Sequence, residues 1–282
     1  MIDLHSHTTA SDGSLSPAEL VALAAAAGVK VLGITDHDTI DGLAAARDAA
    51  AATGLVEIIP GVEFSAEYSP GTMHLLGYLI DPENGELLSA LEEMRARRNT
   101  RNPRIVEALR GLGFEMTMEE VLAASRGSSI GRPHIAQVMV AKGYAQSVDD
   151  AFARWLDRGR PAYVAQARIE PAEAIRVIKA AGGVPVLAHP YQLKPASDSH
   201  LEEIVRGLCA AGLGGMEVWY SRHTAEMSAF YLALAERYGL VATGGSDFHG
   251  TPKPDIFLGT GTGSLRVPPE TVANLRVKAA RR

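Results

Sequence analysis

The sequence predicts an α/β fold in which about seven strands pair in parallel and close, or nearly close, into a β/α barrel carrying a helical insertion. Three observations lead there. Short apolar, β-branched runs alternate with Ala/Leu-rich stretches over the first hundred residues. The same alternation resumes after Gly182. Between these parts, from about Leu87 to Arg160, only helical patterns occur. Strand–helix alternation with buried strands implies parallel pairing through crossover helices. A doubly wound open sheet is the alternative. It normally carries a Gly-rich phosphate turn after its first strand, and "HSHTTASDG" is not one.

In order along the chain, "IDLH" reads as the first strand. "SPAELVALAAAAG" is a helix with Ser16 as N-cap, Pro17 at the first helical position, Glu19 completing a capping box and Gly28 ending it. "VKVLGIT" is a strand, and "DGLAAARDAAAATG" is a helix ending at Gly54. "LVEIIPGVEFSAE" carries one or two strands, and "HLLGYLI" another. After the all-helical stretch, "VPVLAHP", "GMEVWYS" and "LVATGGSD" are strands, separated by helices around 199–211 and 224–238. Pro103 is expected to kink or break the long helix at the start of the insertion. Residues 1–99 and 167–282 are thus read as barrel, and 100–166 as the insertion.

The chain has 282 residues, 46% of them hydrophobic and 21% charged, with a net charge of -6. That is a soluble globular profile, and it argues against binding long duplex nucleic acid. A single cysteine, Cys209, excludes an internal disulfide and suits a reducing cytoplasm. No signal-peptide pattern opens the chain, and no apolar run approaches the ~20 residues of a membrane span. The expectation is a cytoplasmic protein with no membrane association and no obligate protein partner.

The chemistry lies at the strand ends. His5 and His7 are two apart in an extended segment, so they share a face. Alone they could be a partly exposed pair. They are joined by Asp12, by His37 in "TDHD", by Glu63 in "GVEFS", by His74 in "TMHLLGY", by His189 in "LAHP", and by Asp247 and His249 in "GGSDFHG". Most of these sets sit at the C-terminal end of a predicted strand, where the ends of a barrel converge. Six of the nine histidines fall at such positions. Imidazoles and carboxylates without cysteine suit manganese, zinc or iron. Nine candidate ligands exceed one coordination sphere, so two or three ions are implied, with a carboxylate such as Glu63 able to bridge. Such centres lower the pKa of bound water toward ~7 and neutralise phosphoryl oxygens.

"DLHSHTTASDGSLSP", "GITDHDTIDG", "PGVEFS", "HLLGY", "LAHP" and "GGSDFHG" resemble the polymerase-and-histidinol-phosphatase (PHP) family of metal-dependent phosphoesterases. The resemblance spans both halves of the chain. It implies a distorted (β/α)7 barrel with a trinuclear centre, manganese being the first expectation and zinc or iron the alternatives. Carried over, His5, His7, Glu63 and Asp247 would hold one ion, Glu63, His74 and His189 a second, and Asp12, His37 and His249 a third. Asp36 would support a ligand, and Asp38 reads as turn chemistry. The insertion with "GRPHIAQ" resembles the branch acting on small nucleotides. The activities implied are removal of the 3'-phosphate from 3',5'-nucleoside bisphosphates, 5'-to-3' trimming of short 5'-phosphorylated RNA, or a histidinol-phosphate-type phosphatase reaction. A non-catalytic metal-binding module is the reading from another class, and an intact ligand set speaks against it.

Substrate contacts are expected from the insertion. Arg98, Arg101 and Arg104, at its entrance and spaced by three, stay near one helix face, and one or two of them would line the mouth with Asn102 or Asn99 nearby; a solvated face is the alternative. Arg132 and His134 in "SSIGRPHIAQ" flank a helix start that would attract a phosphate; an ordinary cap built on Ser129 or Gly131 is the alternative. Arg132 would also stabilise the transition state. His223 is either a phosphate ligand, the acid for the leaving oxygen, or a surface residue. Tyr191, Trp219 and Tyr220 either stack a base or fill the barrel end.

Overall fold

Seven strands pair in chain order: β1 (Ile2–Asp3), β2 (Val31–Ile34), β3 (Glu57–Ala66), β4 (Met73–Tyr78), β5 (Val184–Leu187), β6 (Gly215–Tyr220) and β7 (Val241–Gly245). A computed structural model describes residues 1–125, 130–165 and 168–281. The last strand returns to the first through a Leu4 N–H bond to Gly244 O of 3.2 Å and a parallel bridge between Ser6 and Phe248. The sheet is therefore a nearly closed barrel. Gly245 permits the closure, because a Cβ there would collide with the backbone and Cβ of His5.

One expectation needs correcting. β4 runs antiparallel to both β3 and β5, whereas the other pairs are parallel. The cause is the link: residues 67–72 join β3 to β4, and a parallel return needs a crossover of about a dozen residues or more. The reversal brings the N-terminal end of β4 to the mouth formed by the C-terminal ends of the others. His74, second in β4, faces that mouth for this reason. The segment expected to hold one or two strands is the single strand β3.

Helices α1 (Pro17–Ala27) and α2 (Leu43–Thr53) begin and end as their sequences indicate. Ser16 and Glu19 form the capping box, and Gly28 and Gly54 take left-handed conformations. With α7 (Pro171–Ala180), α8 (Asp198–Ala211) and α9 (Ala225–Arg237), they bury a shell around the barrel that includes Leu20, Phe64, Ile175, Val205 and Leu234. Cys209 packs partly buried against this shell. Leu4, just after β1, and strand residues Ile59, Leu76 and Val186 pack with Val272 and Leu275 of α10 (Glu270–Ala280).

The middle of the chain folds as α3 (Gly85–Gly111), α4 (Met118–Ser125), α5 (Arg132–Ala141) and α6 (Val148–Ala151), the last leading into a π-helical turn (Phe152–Leu156). It has its own apolar cluster, including Ile105, Leu109, Met116, Ile135, Met139 and Leu156. α3 is not broken at Pro103. The carbonyl that the proline ring leaves without its helical partner belongs to Asn99. Asn99 and Pro103 are both exposed, while Asn102, Ile105 and Val106 are buried and hold the helix in place. Among the described residues, no helix is long and apolar enough to cross a membrane.

Candidate metal centre and its cationic wall

All nine expected ligands meet in one pit at the barrel mouth. Glu63, on β3, is the hub. Its Oε2 lies 3.3 Å from His5 Nε2, 3.2 Å from His7 Nε2 and 3.0 Å from His37 Nδ1. Its Oε1 lies 2.9 Å from His74 Nδ1 and 3.1 Å from His189 Nε2. Asp247 Oδ1 is 3.5 Å from His5 Nε2, 3.2 Å from His7 Nε2 and 3.4 Å from His249 Nδ1. Asp12 Oδ1 is 3.4 Å from His249 Nε2 and 3.7 Å from His7 Nδ1. Ligand atoms within 4.8 Å of one another form overlapping sets: His7/Asp12/His37/His249, His5/Glu63/His189, His5/His7/Asp247 and His37/Glu63/His74. These sets share members with the expected three-ion grouping but differ from it at His7, His37 and His5.

The donor set fits divalent cations. His5 Nε2, His7 Nε2, Asp12 Oδ1 and Glu63 Oε2 are buried and meet no hydrogen-bond partner with usable geometry. Leaving such atoms dry is costly unless a cation takes them up. Burial works against ionisation of Glu63, but His37, His74 and His5 around it outweigh this and hold its carboxyl well below the usual range. Asp12, beside His249 and His37, is held low in the same way. Asp247 is held low by Lys253, His249 and His5. Burial pushes His37, His74 and His249 down, favouring the neutral imidazole that ligates. Burial would lower His7 too, but the carboxylates of Asp247 and Glu63 facing its ring carry it up to about 9.

Buried polar groups hold these candidate ligands in place. Asp36 accepts from Thr8 N–H (2.7 Å), Thr8 Oγ1 (2.8 Å) and Ser11 Oγ (2.6 Å), pinning the turn that presents Asp12. Asp3 accepts the backbone N–H groups of Ser246 and Gly259 at 2.8 and 2.7 Å. Tyr220 Oη and Lys253 Nζ donate to Asp247 Oδ2 at 2.8 and 2.7 Å. Glu217 accepts from His5 and from the backbone of His189. Sequence reasoning missed Glu217 and Lys253. For Glu217 a signal existed, a lone charge inside the apolar run "GMEVWYS". Simple alternation would group it with Trp219. A bulge in the β6–β7 pairing at Val218 shifts the phase, so Glu217 and Tyr220, three apart, both reach the cluster residues.

The pit opens into a cavity of about 380 Å³ shared by the barrel and the insertion. Asp12, His37, His74 and His249 line one side, and Arg98, Arg101, Arg132 and Arg168 another. Arg98 pairs with Asp38, which also accepts Ser65 N–H at 2.7 Å; Asp38 thus ties α3, the helix that leads into the insertion, to the turn after β2. Arg101 leans on Asn102 Oδ1 at 2.9 Å, and Asn102 Nδ2 donates to Ile130 O at 2.9 Å. Arg132 donates to Leu156 O at 3.0 Å and lies against the rings of Phe152 and Tyr163. Arg168, which sequence reasoning did not single out, reaches Ala66 O at 3.5 Å. Burial, with mutual repulsion, lowers Arg98 and Arg132 to about 10 and Arg101 to about 9.

Arg98 and Arg101 thus line the mouth, whereas four other candidates, Arg104, Asn99, His134 and His223, sit differently. Arg104 and Asn99 are exposed, away from the cavity. Steps of three residues drift by about 60° each on a helix, so Arg104 has rotated off the face of Arg98. His134 lines the cavity, but its Nδ1 accepts Gly131 N–H at 3.0 Å and its ring also bonds the backbone of Ser11. It ties α5 to the barrel turn. Ser129 lies outside the described residues. His223 does not line the cavity: its Nδ1 donates to Val218 O at 2.9 Å, the carbonyl at the bulge, and Tyr191, Tyr220 and Tyr231 pack around its ring. Tyr220 serves Asp247, and Trp219 packs on the outer shell.

Imidazoles and carboxylates converging at the mouth of a nearly closed β/α barrel define a metal-dependent hydrolase. Residues 3–162 match the family model described as the PHP domain. The chain is 37% identical over 260 residues to the 5'-3' exoribonuclease Rnm of Escherichia coli, covering 91% of this chain and 87% of that protein. It is 33% identical over 249 residues to the 3',5'-nucleoside bisphosphate phosphatase of Chromobacterium violaceum, covering 88% and 87%. A crystal structure from Bifidobacterium adolescentis, assigned as a metal-dependent phosphoesterase, superposes with a TM-score of 0.86 at 34% identity over 98% of this chain and 95% of that one. The chain belongs to the PHP family, and it is a metal-dependent phosphoester hydrolase.

Proposed function

We propose that this hydrolase removes the 3'-phosphate from small 3',5'-bisphosphorylated nucleotides. One observation carries the reading: a single cavity of about 380 Å³ is lined on one side by cluster imidazoles and carboxylates and on another by guanidinium groups. A substrate with two phosphates matches both sides at once. His5, His7, Asp12, His37, Glu63, His74, His189, Asp247 and His249 would hold two or three divalent cations, manganese foremost. When bound, these cations acidify water and neutralise charge on the scissile phosphoryl oxygens. Glu63, reaching five imidazoles, is the carboxylate suited to bridging. Arg132 and Arg101, which form no ion pair among the described residues, would take the second phosphate, since a guanidinium offers two parallel N–H donors to it. Arg98 would have to share with Asp38. The insertion, residues 100–166, acts as the cover that closes the site, its end falling outside the described residues. A reducing cytoplasm suits the lone thiol.

The test is phosphate release from adenosine 3',5'-bisphosphate by the manganese-loaded protein, followed by identification of the nucleoside product. Adenosine 5'-monophosphate is expected. No release, or release of the 5'-phosphate first, contradicts the assignment. The second reading, a 5'-to-3' exonuclease on short RNA, draws on the same guanidinium side, which would anchor a 5'-phosphate while a diester is cut. Cleavage of a 5'-phosphorylated dinucleotide faster than the bisphosphate would favour it.

A further inference from the structure

Glu217 is fully buried on β6, and no step of the proposed reaction uses it. Its Oε1 lies 3.0 Å from His5 Nδ1, and its Oε2 accepts the backbone N–H of His189 at 2.8 Å. It touches two of the nine cluster residues, His5 and His189, which lie far apart in the chain.

We infer that Glu217 is a positioning residue for the metal centre: it fixes the tautomer of His5 and clamps the backbone at His189. The inference rests on the metal-centre reading. A carboxylate only accepts hydrogen bonds, so His5 Nδ1, opposite Oε1, carries the hydrogen. The Nε2 lone pair is then left facing the cluster, with Glu63 Oε2 and Asp247 Oδ1 at 3.3 and 3.5 Å. Ligating histidines commonly donate their other ring N–H to such a carboxylate. The second oxygen does a different job. His189 has φ 25° and ψ 69°, a conformation that persists only where surroundings over-determine it. The bond to Oε2 supplies such a constraint at the residue itself. One carboxylate therefore sets the relative placement of imidazoles following β1 and β5, whose rings lie 5.7 Å apart.

An amide would keep the shape and lose the pattern. In Glu217→Gln only one end of the side chain can accept. If the oxygen takes His189 N–H, the NH2 group faces His5 Nδ1 and drives the ring to the tautomer with hydrogen on Nε2, which cannot ligate through that atom. If the ends are reversed, two N–H groups oppose each other at His189. The experiment is calorimetric titration of zinc and manganese into wild type, Glu217→Gln and Glu217→Ala, with thermal melting of each. It is paired with 15N side-chain spectra of the zinc-loaded wild type. The expected result is about 10- to 100-fold weaker metal binding in Glu217→Gln, close to that of Glu217→Ala, and His5 of the wild type hydrogenated on Nδ1. Wild-type affinity in Glu217→Gln with a loss only in Glu217→Ala would reduce Glu217 to packing and overturn the inference. A wild-type His5 hydrogenated on Nε2 would overturn it however the variants fold. Wild type that binds no metal would overturn the metal-centre reading and this inference together.

Discussion

The two sides of the cavity are built in opposite ways. The barrel side is made of short side chains at strand ends, each fixed by several neighbours, as Asp36 fixes the turn before Asp12 and Tyr220 and Lys253 fix Asp247. The insertion side is made of long guanidinium stems resting on backbone carbonyls and rings, as Arg132 rests on Leu156 O and Phe152. The barrel side concentrates carboxylates and lone pairs and calls for cations. The insertion side concentrates N–H donors and calls for an anion. On the proposed function, chemistry is placed where the scaffold is stiff, and substrate choice on the guanidinium side. Substitutions on the two sides should therefore fail differently.

The largest effect is expected on the barrel side. Glu63→Gln removes the hub carboxylate, and losing metal-assisted charge stabilisation worth several kcal/mol should lower kcat by about 10³-fold or more. Phosphate release at saturating substrate, with metal content measured on the same sample, checks this; a kcat within tenfold of wild type would contradict it. Next comes the insertion side. Arg132→Ala should raise KM for a bisphosphate by about 10- to 100-fold, the worth of a hydrogen bond to a charged group, and leave metal content unchanged. Loss of metal in that variant would erase the distinction between the two sides.

Asn102→Ala sharpens the comparison through the support of the guanidinium side. It leaves Ile130 O without its buried donor and Arg101 without its rest, so unfolding should become easier by about 1–3 kcal/mol, with metal affinity unaltered; denaturant melts and metal titration read both. The smallest effect belongs far from either side. Ser16→Ala removes the N-cap of α1 and should cost about 1 kcal/mol of stability with kinetics unchanged, as a melting curve and an initial-rate assay would show.

The same contrast governs what could be read from the sequence. Candidate ligands at strand ends are legible because barrel strands converge whatever their spacing in the chain, and His5, Glu63 and His189 meet as that rule requires. The rule held even for His74, although its strand runs the other way; the short link that reverses β4 is visible in the sequence but was read as another parallel step. Glu217 escaped because a bulge, which depends on the partner strand, changes which residues face inward. Of the three spaced arginines Arg98 and Arg101 reach the cavity and Arg104 does not, because three-residue spacing drifts around a helix, and Arg168 lies in a segment with no periodicity to place it. His223 sits beside a strand end yet is captured by the carbonyl at that bulge. Pro103 left α3 intact because its missing bond falls on the exposed side.

The most direct test compares two substrates on one enzyme: kcat/KM of the manganese-loaded wild type for adenosine 3',5'-bisphosphate and for adenosine 3'-monophosphate, with Arg132→Ala alongside. If one cavity joins the cation side to the guanidinium side, the wild type should prefer the bisphosphate by about 10- to 100-fold, and Arg132→Ala should lose most of that preference while still turning over the monophosphate. Equal kcat/KM for the two substrates in the wild type, or a preference that survives in Arg132→Ala, would contradict it.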